Sequence, residues 1–201
     1  MKERNKIKVI GLTGGIGSGK TFIATYAKEK FGVPIILADE VGHIALEPGR
    51  KTYYKVLEVF GKEIMERNNG IDREKLSKIV FEDKKKLELL NGIVHPFIKE
   101  WIEKEIQRIK EEKTVKYIIL EAAILLESSL VNLCDEIWFV QTEENVRRAR
   151  LKESRGYSKE KIDHIIKAQL SQEEMQKKSD FIILNTEDLK ELQKQLEVLL
   201  V

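Results

Sequence analysis

Read as apolar and polar positions, the chain resolves into short β-rich runs separated by longer stretches with helical spacing. Residues 7–12 form the first such run. Residues 20–31 have helix-forming composition and stop at Gly32, as glycine does at a helix C-terminus. Residues 33–37 are almost continuously apolar, which suits a parallel strand covered on both faces. Residues 40–47 predict a short helix ended by Pro48-Gly49. From 50 to 112 the pattern is helical and strongly charged. There Tyr53, Tyr54, Val56, Leu57 and Phe60 share a face, and Asn68-Asn69-Gly70 marks a turn. Asp72 stands where it would cap a helix carrying Leu76, Ile79, Val80 and Phe81. A helix from Lys84 is predicted to run up to His95-Pro96, and a second from Pro96 to about Glu112, carrying Ile98, Trp101, Ile102, Ile106 and Ile109. The block contains no convincing strand. A third strand spans 115–120 and ends at Glu121, a fourth lies within 135–140, and a fifth covers 181–184. Between the last two, Thr142 or Glu143 opens a densely charged helical segment to about 176, interrupted at Gly156-Tyr157 and restarted by Ser158 as N-cap. A terminal helix follows from about 188 to 199. Strands alternating with helices imply an α/β fold with a parallel, doubly wound sheet.

One stretch adds chemistry to this pattern. Gly14-Gly15-Ile16-Gly17-Ser18-Gly19-Lys20-Thr21 matches a glycine, four residues of any kind, then Gly-Lys-Thr, set between the first strand and the first helix. Glycines let backbone N–H groups turn inward on phosphates, and the helix N-terminus adds partial positive charge. Lys20 is placed to reach the β- and γ-phosphates of a nucleotide, and the Thr21 hydroxyl to sit on Mg²⁺. Asp39 follows the second strand and Glu121 the third, and in an open parallel sheet those ends share the edge where ligands bind. The set suits phosphoryl transfer: a cation on the phosphates, a hydroxyl for the metal, one acid for the metal shell and one to take a proton from an attacking hydroxyl. Each acid has a second reading. Asp39 also suits the N-cap of the following helix, and Glu121 a solvated strand end. Arg147, Arg148 and Arg150 read either as a phosphate-clamping lid or as a solvated helix face; only Arg147 and Arg150, three apart, can point the same way.

Composition narrows the class. Charged residues make up 35% of the 201 and hydrophobic ones 42%, the balance of a globular chain large enough to bury a core. With 36 basic and 34 acidic residues the net charge is +2, which argues against bulk nucleic-acid binding. Cys134, the one cysteine, excludes an intramolecular disulfide, and its apolar neighbours predict a buried inert thiol. No run of about 18 apolar residues predicts a membrane span, and the charged start at residues 1–6 lacks an apolar leader segment. Small-molecule partners, no nucleic acid, no membrane, a cytoplasmic location and a monomer or weak oligomer are the expectations.

Taken together these residues resemble the dephospho-CoA kinase family over nearly the whole chain. Residues 11–21 are more specific to that family than the general nucleotide loop. Ala38-Asp39-Glu40 with Glu47-Pro48-Gly49 is similar to its Asp-Ala-Asp segment and downstream Pro-Gly. Asp72-Arg73, Leu76, Val80-Phe81 and Ile93-Val94-His95-Pro96 follow its middle signature, Leu125-Leu126-Glu127 resembles its Leu-Leu-Phe-Glu, and Gln169, Asp180 and Asn185 match late positions. The resemblance implies a P-loop fold in one domain: a core at about 6–48, 114–141 and 179–201, a helical substrate region at 50–112 and a helical lid at 142–176. It implies ATP and Mg²⁺, with phosphorylation of the ribose 3′-hydroxyl of dephospho-CoA to coenzyme A. Asp39, Lys20 and Arg147 would be catalytic, Asp39 as the general base. Gly15, Ile16, Gly17, Ser18, Gly19, Lys20, Thr21, Phe22, Arg150 and Asn185 would hold the nucleotide, Asn185 near the adenine. Asp39, Tyr53, Phe81, His95, Glu121 and Leu125 would hold dephospho-CoA, although a histidine before a proline is as readily structural. The chain departs from the family at Leu37, which stands for the first Asp, at Glu121-Ala122-Ala123, which stands for Asp-Ile-Pro, and in the lid at Ser154 and Ile165, which stand for arginines. Arg155 lies one residue from the first of these lid positions. Rival readings are a nucleoside or nucleotide kinase of the same fold, a GTPase, which lacks an Asn-Lys-x-Asp here, and a non-catalytic nucleotide sensor.

Overall fold

The computed structural model describes residues 7–112, 115–186 and 188–200; the charged start at 1–6 lies outside them. In chain order the elements are β1 (Lys8–Thr13), α1 (Lys20–Phe31), β2 (Ile35–Leu37), α2 (Ala38–Ala45), α3 (Lys51–Phe60), α4 (Arg73–Glu82) and α5 (Lys84–Glu112). They continue with β3 (Tyr117–Glu121), β4 (Glu136–Gln141), α6 (Glu144–Arg155), α7 (Lys159–Ala168), α8 (Gln172–Lys177), β5 (Phe181–Leu184) and α9 (Leu189–Leu200). Short 3₁₀ turns stand at Lys62–Ile64, Leu125–Glu127 and Ser129–Leu133. By contact the chain divides into two compact units, Met1–Leu37 with Ile106–Val201, and Ala38–Glu105.

The first unit holds a five-stranded sheet in the order β2-β3-β1-β4-β5, with every pairing parallel. Parallel strands need both faces covered, and β1 shows why its sequence complies. Ile10 and Leu12 point into a core with Ile23, Ala24 and Ala27 of α1 and Leu192, Leu196 and Leu200 of α9. On the opposite face Gly11 lies under Leu125, Cys134 and Ile137; a Cβ there would fall 2.6, 2.7 and 2.8 Å from their side chains. Cys134 is half-buried there, with its thiol 3.6 Å from Leu130 O, and desolvation pushes that thiol up to about 12. Two aspartates close the start of the sheet in the same way. Asp135 N–H donates to Val9 O while the Val9 N–H donates to the Asp135 carboxylate; Asp180 does the same with Ile137. This gives the late-family position Asp180 a structural purpose. At the β5 edge, Gln195 of α9 accepts from Leu184 N–H (2.9 Å) and donates to Leu184 O (3.0 Å).

The second unit packs α2, α3, α4 and the front of α5 around Tyr53, Val56, Phe60, Ile64, Ile71, Leu76, Val80 and Val94. Asp72 caps α4 as predicted, accepting from the N–H groups of Glu74 and Lys75. Around the Asn68–Gly70 turn, where Asn69 has φ 66°, one isolated antiparallel bridge joins Met65 and Ile71.

Two sequence-based boundaries are corrected. The break expected at His95-Pro96 is absent: α5 is one helix of 29 residues with Pro96 inside it. The proline ring presses on the carbonyl four residues back. That residue is Gly92, where a Cβ would meet nothing within 4 Å outside the helix's own backbone. The second correction concerns α2, which begins at Ala38, so Asp39 is its second residue and not its cap. Its carboxylate sits in the first turn, where the helix dipole favours negative charge.

Candidate active site

The loop between β1 and α1 is built for a close approach. Gly17 and Gly19 have φ of 80° and 91°, left-handed values that side chains disfavour. The loop folds on itself through Ser18 N–H to Gly15 O at 3.1 Å. Lys20 is buried, with its ammonium 2.8 Å from Gly14 O and 3.3 Å from Gly15 O. Thr21 donates its hydroxyl to the Glu121 carboxylate at 3.2 Å. Glu121 is only 8% exposed, so its reading as a solvated strand end is ruled out; it is tied instead to the residue expected to face the metal.

The arginines resolve by helix face. Arg148 turns outward to pair with Glu144 and Asp163. Arg147 and Arg150 turn to the loop, and the solvated-face reading fails for both. Arg150 reaches Gly17 O at 3.3 Å. Arg147 is 4% exposed, and its guanidinium lies so near Gly15 that a Cβ there would fall 1.6 Å from Nη1. Its Nε and the Ser18 hydroxyl are buried with no hydrogen-bond partner among the described residues. Burial lowers the Arg147 pKa below its ordinary value, yet a guanidinium stays charged. A buried cation with an unsatisfied N–H on a glycine loop calls for an anion. That is the fit expected of a triphosphate. The Thr21 hydroxyl and Glu121 carboxylate are hard oxygen donors of the kind Mg²⁺ takes alongside phosphate oxygens and water.

Three side chains from elsewhere in the chain brace the loop, and of these only Asn185 was expected at the nucleotide. Gln169, after α7, accepts from Ile16 N–H at 3.0 Å. Thr142, just past β4, donates to Ser18 O at 3.0 Å, and Asn185, just past β5, donates to the same oxygen at 2.8 Å. For Thr142 and Asn185 the available signal was a polar residue directly after β4 and after β5, since those ends share one edge. A cleft of about 650 Å³ opens there, lined by Gln141, Thr142, Asn145, Gln172, Gln176 and Asn185 among others.

The remaining expected residues divide. Phe22 is exposed at the start of α1, and Phe81 is exposed on α4. Asp39 is exposed on α2. His95 is half-buried on α5, and desolvation holds its imidazole below the usual 6.5. Leu125 is fully buried, against Gly11. Tyr53 is 4% exposed with its hydroxyl on Asn69 O at 2.6 Å, so Tyr54 is the ring exposed beside it. Both tyrosines, with Pro48, Leu57, Lys62 and Met65, line a cleft of about 600 Å³ in the second unit. Ser154 is exposed and donates to Arg150 O at 2.6 Å, and Arg155 ends α6 exposed.

Comparison with known proteins agrees with this geometry. The model of the dephospho-CoA kinase family matches residues 8–191. A dephospho-CoA kinase of Fusobacterium nucleatum is 40% identical over 191 residues, covering 95% of this chain and 96% of the relative. The crystal structure of TT1252 from Thermus thermophilus superposes with a TM-score of 0.81 at 27% identity, covering 96% of each chain. A dephospho-CoA kinase from Campylobacter jejuni superposes with a TM-score of 0.69 at 25% identity, again covering 96% of each.

Proposed function

The chain belongs to the dephospho-CoA kinase family, and from that premise we propose how its residues divide the work of the reaction. The enzyme transfers the γ-phosphoryl group of ATP to the ribose 3′-hydroxyl of dephospho-CoA, the last step in making coenzyme A. The hydroxyl oxygen bonds to the γ-phosphorus, the bond from that phosphorus to the bridging oxygen breaks, and ADP leaves. The proton of the hydroxyl goes to a carboxylate.

The loop N–H groups and Lys20 hold the phosphates. Lys20 now bonds loop carbonyls, and its compact ammonium on a flexible stem moves to phosphate oxygens as the triphosphate enters. Arg147 meets the transferring group and steadies the charge spread over its oxygens. Its buried guanidinium on Gly15, with an unpartnered Nε–H, is the observation that carries this reading. Thr21 and Glu121 would hold Mg²⁺, which would supply charge neutralisation at the phosphates. Asp39 orients the acceptor hydroxyl and takes its proton. With Leu37 in place of the family's other acid, that role falls to Asp39 alone of the two positions. The second unit supplies exposed rings, Tyr54 and Phe81, for the organic part of dephospho-CoA.

ATP turnover measured with dephospho-CoA and with a panel of nucleosides tests this reading, with Asp39→Asn in parallel. Dephospho-CoA is expected to stimulate turnover, and Asp39→Asn to cut it by about 10²–10⁴ while ATP still binds. A stronger response to a simple nucleoside, or an Asp39→Asn rate within about tenfold of the parent, would sink it.

A further inference from the structure

We propose that Thr142 and Asn185 are positioning residues that aim the Gly19 N–H at the nucleotide phosphates by holding the Ser18 carbonyl from behind. The proposal rests on reading the glycine loop as the ATP phosphate site. In a trans peptide the C=O and the following N–H point in opposite directions. Whatever fixes the Ser18 carbonyl therefore fixes the direction of the Gly19 N–H, the amide at the N-cap of α1. That carbonyl accepts two hydrogen bonds, from Thr142 Oγ1 at 3.0 Å and Asn185 Nδ2 at 2.8 Å. Both donors are buried, 3% and 7% exposed.

The two donors are themselves held together. Asn185 N–H donates to Gln141 O at 2.9 Å, which extends the β4–β5 ladder by one rung and sets Asn185 beside Thr142. The sheet thus carries the clamp, and the loop leans on it. Gly19 completes the fit from its side: a Cβ there would fall 2.4 Å from Asn185 Nδ2, and its φ of 91° is open to glycine. An amide so pre-aimed need not reorient when phosphate arrives, and that is how fixed dipoles gain strength over water. Asn185 in this role acts through the loop and does not select the base.

The test separates these roles with inorganic tripolyphosphate, which has phosphates and no base. Binding of tripolyphosphate, ATP and GTP is measured by calorimetry on the parent, Thr142→Val, Thr142→Ser and Asn185→Leu, with KM for ATP and for dephospho-CoA and the melting temperature of each. Thr142→Val and Asn185→Leu are each expected to weaken tripolyphosphate and ATP alike, about five- to tenfold, as one hydrogen bond is removed. The ATP-to-GTP preference and the KM for dephospho-CoA stay within about twofold, and Thr142→Ser restores the parent values. Loss of the ATP-to-GTP preference in Asn185→Leu with tripolyphosphate binding unchanged would make Asn185 a base contact and overturn the proposal. So would unchanged tripolyphosphate binding in Thr142→Val, or failure of Thr142→Ser to restore it. A parent that binds neither ATP nor tripolyphosphate would remove the reading of the loop itself, a different failure from the variants behaving alike.

Discussion

Arg147 and Gly15 account for each other. The guanidinium occupies the space that any side chain at position 15 would fill, so a methyl group there must displace a buried cation. Gly15→Ala is expected to fold and to lower kcat/KM for ATP by at least about tenfold, since the arginine is worth several kcal/mol at a transferring phosphoryl group. Steady-state kinetics beside a thermal melt distinguishes the two effects. His95 carries a second expectation. Burial holds its folded-state pKa below 6.5, so as pH falls the unfolded chain takes up the proton first. The stability this group contributes is full above about pH 6.5 and declines as pH drops through the window below. Urea midpoints measured from about pH 7.5 to 5 should fall in the parent and fall less steeply in His95→Gln. At this scale the sequence is legible in kind and partly in direction. Spacing puts Arg147 and Arg150 on one face, as observed, because three residues is nearly one helical turn. Spacing does not tell whether that face meets the loop or water. The burial of Leu125 against Gly11 is not legible, because an apolar residue in a signature looks the same whether it faces a ligand or the back of a glycine strand.

Among the elements, α5 departs most from its sequence signal. A proline inside a helix removes one hydrogen bond and costs up to about 3 kcal/mol, which is why the pattern predicts a break there. The helix continues because the residues beyond Pro96 have their own buried partners, Ile102, Ile106 and Ile109, and Gly92 leaves room behind the ring. Pro96→Ala should therefore stabilise the protein by about 1 kcal/mol or more by restoring the bond to the Gly92 carbonyl, read from urea denaturation; an unchanged or lowered midpoint would refute this account. The caps are easier. Asp72 and Ser158 are both recognisable and both accept from the helix amides ahead of them, because a cap is a local event and local events survive in sequence. Asp39 fails as a cap for the same reason in reverse: α2 starts directly from the end of β2, two residues earlier than its composition suggests.

For the whole molecule, the parallel sheet with β1 between β3 and β4 is legible in class from alternating strands and helices, but the strand order is not, since no residue names its neighbour. That order brings Glu121 to Thr21, and Thr142 and Asn185 to Ser18, from opposite sides of β1. The proposed Mg²⁺ role can be tested on the first of these contacts. Chelation by EDTA should stop turnover, and Glu121→Gln should raise the Mg²⁺ needed for half-maximal rate by about tenfold, a weakened carboxylate shell, without weakening ATP binding in the absence of metal. The far side of the sheet has a different consequence. Beyond β5 the ladder ends, with Phe181, Ile182 and Leu184 all partly exposed, the composition that recruits foreign strands. Gln195 offers Leu184 one acceptor and one donor, the two groups a neighbouring peptide unit would bring. The side chain of α9 thus impersonates a sixth strand one residue long. Because α9 follows β5 in the chain, it leaves the ribosome after the strand it shields, and until it docks the nascent chain carries an open edge.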